Sequence, residues 1–149
     1  MGLDCRSFPH CHRTGCAAGQ RVAGERTGVR VRGGSYNRLR PGKDTRTNAS
    51  LNAEWVQLKN TSKKAVNVKG WILKDTSNHK YVFKNISIGA GKTVKIHTGT
   101  GKDTSADTFQ NRKAYVWNND GDTATLTRST GAKVDTCSWT KKTKDHKWC

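Results

Sequence analysis

No run of about 18 apolar residues occurs in this chain, so none of it is suited to cross a membrane as a helix. Hydrophobic residues are scarce, at 32% of 149 residues, and Gly, Thr, Asn, Ser and Lys fill much of the remainder. That balance favours a turn-rich β protein over a helical bundle, and the length suits one domain. Acidic residues are also few: 11 Asp and Glu stand against 28 Lys and Arg, for a formal charge of +17. Such a field draws polyanions, whether nucleic acid, an anionic wall polymer or anionic lipid. The same lysines also serve to keep strand edges from pairing. No nucleophile motif is present, and the five histidines (His10, His12, His79, His97, His146) are scattered, so a non-enzyme is expected. Glu54 reads as a structural hydrogen-bond acceptor, and His97 as facing solvent or capping the loop after it.

A continuous apolar stretch of signal-peptide length is missing from the start. Every basic residue up to Gly34 is Arg (Arg6, Arg13, Arg21, Arg26, Arg30, Arg32), whereas Lys dominates after Ser35. The break predicts a disordered leader over residues 1–34, a composition that also fits a misassigned start. A folded domain is expected over 35–139 and a basic tail over 140–149.

Cys5, His10, Cys11, His12 and Cys16 are weak candidates for a zinc site. Their spacing has no Cys-x2-Cys knuckle and no second half, so no metal and no cofactor are expected. Cys137 reads as a small buried hydrophobe and Cys149 as a free thiol at the chain end. Five cysteines are an odd number, and no disulfide framework follows from them.

From Leu51 onward apolar and polar residues alternate with period two, over 54–59, 65–68, 70–75, 80–83, 93–97, 112–117, 123–128 and 133–139. A long polar loop is expected from Thr98 to Asn111, and no window has a helical moment. Short strands about ten residues apart predict an all-β, antiparallel sandwich or barrel. The expected interior is Val56, Leu58, Val66, Val68, Trp71, Leu73, Tyr81, Phe83, Val94, Ile96, Val116, Leu126 and Val134. Near the end of the pattern, Trp117 directly precedes the turn formers Asn118-Asn119-Asp120-Gly121-Asp122. A strand ending at Trp117 and a hairpin turn at Asp120-Gly121 would set the ring over the end of the core, as a stability residue. Asn118, Asp120 and Asp122 as calcium ligands are the rival reading, disfavoured because the Gly and distant Glu of a calcium loop are missing.

Several runs resemble the lamin-tail domain in its bacterial form. They are Leu51-Asn52-Ala53-Glu54-Trp55-Val56, Asn60-Thr61, Gly70-Trp71-Ile72-Leu73-Lys74-Asp75, Tyr81-Val82-Phe83, Gly91-Lys92-Thr93-Val94, His97-Thr98-Gly99 and Val116 to Leu126. The resemblance covers about Ser35 to Trp139. It implies an immunoglobulin-like antiparallel β-sandwich without an active site. Lamin tails are interaction modules for proteins, chromatin and DNA, and bacterial relatives are often exported, alone or joined to hydrolases and nucleases. By that resemblance the place is extracellular or at the cell surface, although the chain shows no signal peptide. The family's apolar first strand has only a weak counterpart in Val29 to Asn37.

Two binding functions follow. One is an export-associated binding or scaffold module whose partner is a protein or an anionic wall polymer. The other is nonspecific nucleic-acid binding, with Lys59, Lys63, Lys64, Lys69, Lys74, Lys80 and Lys84 contacting phosphates. Aromatic residues are thin among those lysines, so base stacking is not expected.

Overall fold

The computed structural model describes residues 28–34, 45–142 and 146–149. Two sheets enclose one core. The larger has the order β11-β1-β2-β7-β8 and is built from β1 (Val29–Gly34), β2 (Trp55–Asn60), β7 (Thr93–His97), β8 (Asp107–Phe109) and β11 (His146–Trp148). The smaller has the order β10-β9-β4-β5, from β4 (Ile72–Lys74), β5 (Lys80–Val82), β9 (Gly121–Thr127) and β10 (Lys133–Thr140). A separate pair, β3 (Val66–Asn67) and β6 (Ser87–Ile88), covers one end. All pairings are antiparallel except β7 with β8, which is parallel.

Alternation does the sorting. In β2 and β7, Val56, Leu58, Val94 and Ile96 point inward and are buried, while Trp55, Lys59, Thr93, Lys95 and His97 point outward. Of the expected interior, Val66 and Val134 are only partly buried and pack against the core; the others are buried in it. Asn60 ends β2 inside the protein. Its amide nitrogen donates to the carbonyls of Lys64 and Ile88, and its Oδ1 accepts from Ser62. Those bonds offset the cost of burying the amide.

Three expectations fail, for local reasons. The expected strand over 112–117 is absent, and with it the hairpin: the amides of Val116 and Trp117 donate to the Glu54 carboxylate and not to a neighbouring strand. The expected polar loop from Thr98 to Asn111 contains the short parallel strand β8. A six-residue helix, α1 (Asn48–Ala53), precedes β2 although no helical period announced it. Thr47 caps it, accepting from the Ser50 amide, and Asn48 and Asn52 each donate to the Thr100 carbonyl at 2.9 Å. These side-chain bonds hold a helix too short to stand alone, with Leu51 as its buried anchor.

The termini of the described chain correct the expected boundaries. Val29–Gly34 is not leader. It is a central strand of the larger sheet, with Val29 and Val31 buried. Gly33 faces the Trp139 ring so closely that a Cβ there would lie 2.4 Å from it, which explains a glycine inside a strand. The region expected as a basic tail pairs through β11 with β1, and Cys149 is not free but joined to Cys137 in β10. The Cys149 amide donates to the Val31 carbonyl, so pairing along β1 delivers the last residue to its partner. Residues 1–27, with the Cys5 to Cys16 cluster, lie outside the described residues.

Candidate functional site

The outer face of the larger sheet gathers rings and cations from strands distant in sequence. Register sets Arg32 opposite Trp148 on one side and opposite Gln57 on the other, and Gln57 in turn opposite Lys95. Arg30 faces Lys59, and Trp55 faces His97. The Arg32 guanidinium lies 5.8 Å from the Trp55 ring centre and 5.6 Å from that of Trp148. Lys95 Nζ is 4.6 Å from the Trp55 ring and Lys59 Nζ is 5.9 Å from Trp148. A cation over an indole face is attracted by the ring quadrupole, so the rings and cations order one another without neutralising the charge. Among the described residues, none of Arg32, Lys59 and Lys95 pairs with a carboxylate. Trp148, at the sheet edge, is 42% exposed.

The seven lysines expected to form one surface do not share one. Only Lys59 belongs to this face. Lys74 and Lys80 face each other across β4 and β5, on the outer side of the opposite sheet. Lys63, Lys64 and Lys69 lie in turns, and Lys84 is bonded to Asp103 at 3.2 Å. On the larger sheet, Lys59 stands over the Trp148 ring, beside a second ring, Trp55, with its own cations. The neighbours of Trp55 on this face, Arg32 and Trp148, come from the segments expected as a leader and a tail, and β-pairing brings them together.

Beneath one end of this face is a buried polar knot. Glu54 is 7% exposed, and its carboxylate accepts from the Val116 amide at 3.0 Å, the Trp117 amide at 3.0 Å and the Thr98 hydroxyl. Burial pushes its pKa above the ordinary value, opposed in part by those three bonds and assisted by the nearby negative charge of Asp122. Glu54 is therefore the acceptor expected from sequence. It holds the segment carrying Trp117, a ring 6% exposed with its centre 5.7 Å from that of Trp139. Asp122 secures the next turn, accepting from the amides of Asn118, Thr76 and Thr123 and from the Thr76 hydroxyl. Its carboxylate is thus engaged by protein donors although the expected hairpin is absent, while Asp120 stands exposed, 4.0 Å from Lys141.

His97 is mostly covered, at 15% side-chain exposure, and does not face open solvent. Nδ1 lies 2.7 Å from the Asn52 carbonyl and Nε2 lies 2.8 Å from Asp107, with the ring stacked on Phe109. Both partners are acceptors, so each ring nitrogen is directed at a protein group and not at open solvent. His79 is held at 2.7 Å by the buried carboxylate of Asp75, next to a cavity of about 290 Å³ that Arg112, Lys113 and Tyr115 also line. Among the described residues no group of three or more His, Cys, Asp or Glu could hold a metal.

The sequence from residue 37 to residue 141 matches the Lamin Tail Domain family. The chain belongs to that family. No curated protein matches it. The lamin-tail match begins after β1 and ends before β11, so Arg32, Trp148 and Cys149 lie outside the matched residues.

Proposed function

We propose that this lamin-tail domain is a non-catalytic binding module for an anionic polymer and that the outer face of the larger sheet is its binding surface. One observation carries the reading: Arg32, Lys59 and Lys95 stand together on one flat sheet, held by Trp55 and Trp148 and unpaired with any described carboxylate. A net charge of +17 adds long-range attraction and fast encounter. The non-catalytic part is supported by the lamin-tail match and by His97, whose two ring nitrogens each face a protein acceptor. The Cys137–Cys149 bond supports an export-associated role, because disulfides persist in oxidising compartments. A wall polymer or nucleic acid meets the charge requirement equally. Binding to immobilised polyanions tests the proposal: retention that falls steeply between about 50 and 200 mM salt is expected. Equal retention on neutral and anionic matrices would refute it.

A further inference from the structure

We infer that the outer face of the larger sheet prefers single-stranded nucleic acid, with bases stacking beside Trp148 and Trp55 while Arg32, Lys59 and Lys95 contact phosphates. This rests on the polyanion reading and goes beyond it in naming the ligand. Charge alone attracts any polyanion. A strip in which indole rings alternate with cations suits a polymer whose own flat rings alternate with charges, and that is an unpaired nucleic-acid strand. Bases inside a duplex keep their faces covered by one another, so a duplex offers this surface only its phosphates.

The order of residues across the sheet supplies the alternation. Trp148 stands at the edge, Arg32 lies next to it on β1, and Trp55 and Lys95 follow on β2 and β7. Arg32 is flanked by both rings, so a base that displaces it from one indole leaves it seated on the other and still beside the incoming phosphate. Trp148, 42% exposed, is the ring a base reaches first. It is held in place from both sides, by the pairing of β11 with β1 and by the disulfide at the following residue. The ordering cost of stacking is thereby met before the ligand arrives. Half of this arrangement comes from β1 and β11, outside the residues that match the lamin-tail family.

The test uses the full chain and three probes at about 50 mM salt: oligothymidylate, a DNA duplex of equal charge, and inorganic polyphosphate, which carries charge without rings. Oligothymidylate is expected to bind tightest. Trp148→Ala should weaken it by about ten- to a hundredfold, the range of losing one stacked base. Trp148→Tyr should restore most of that loss, and polyphosphate binding should be unchanged in both variants, which also reports that they fold. Equal affinity for all three probes, a preference for the duplex, or a Trp148→Ala loss shared by polyphosphate would overturn the stacking inference and leave the polyanion reading standing. Failure of all three probes to bind would remove both.

Discussion

Glu54 and Trp55 are adjacent at the entry to β2 and serve opposite sides of the larger sheet. Glu54 turns inward to a sealed knot where its oxygens meet protein donors from residues 98, 116 and 117. Trp55 turns outward to a face where Arg32 and Lys95 approach its ring and no described carboxylate answers those charges. In the knot, polar valence is consumed by the fold, so its residues stabilise. On the face, charge remains for something outside the molecule. Period two in a strand is enough to separate the two tasks by one residue.

That contrast breaks if a change in the knot alters binding, or a change on the face alters stability. The largest effect should come from Trp117→Ala, which removes a buried ring packed on Trp139 and is expected to cost about 3 to 5 kcal/mol in denaturant unfolding. Binding by the fraction that remains folded should be unchanged. Cys149→Ser opens a loop of 12 residues' separation and should cost about 2 to 4 kcal/mol. This variant sharpens the comparison, since it also releases Trp148 and should weaken oligothymidylate binding, whereas Trp117→Ala should not.

Glu54→Gln places an amide NH₂ among donors and should cost about 1 to 3 kcal/mol. Its pH signature separates the knot from the face. The folded pKa of Glu54 is raised, so the native state holds this proton more tightly than the unfolded chain does. Stability from that linkage is complete below the ordinary value of 4.5 and is lost as pH rises through the raised one. The melting-temperature gap between wild type and Glu54→Gln should therefore be widest in acid and narrow towards neutrality. A gap that widens with pH would show the carboxylate to be favoured in its charged form. Lys95→Gln should have the smallest effect on stability, less than about 1 kcal/mol, because its contact with Trp55 lies at the surface. Its effect should be on binding, with the salt slope falling by about 0.7 to 0.9.

Much of the sandwich was legible because alternation is a local signal. Patterns such as Thr-Val-Lys-Ile-His over Thr93–His97 state their own register, and most of the expected interior is buried. Three parts were not legible for want of such a signal. Val29–Gly34 carries arginines on its outer face and a glycine under Trp139, and so resembles a low-complexity leader until the ring that fills the gap is known. The segment from Arg112 to Trp117 alternates like a strand but spends its hydrogen bonds on one distant carboxylate. The face itself depends on which strands are neighbours. Lysines close in sequence, such as Lys74 and Lys59, lie on opposite sheets, while Arg32, Trp55, Lys95 and Trp148 converge.

The opposite outer face is the natural control for that convergence. It presents Thr123, Thr125 and Thr127 on β9 beside Thr136 and Ser138 on β10, with Lys74 and Lys80 on the strands beyond. It has lysines of its own, but the rings of Trp55 and Trp148 are on the other sheet. Two double variants of equal charge change therefore decide which face binds: Lys59→Glu with Lys95→Glu on the larger sheet, and Lys74→Glu with Lys80→Glu on the smaller. Measured by fluorescence anisotropy against one polyanion at fixed salt, the first pair should abolish most of the affinity while the second lowers it only modestly, through net charge. Equal losses from the two pairs would mean that the domain binds through its overall field and that the larger sheet holds no site.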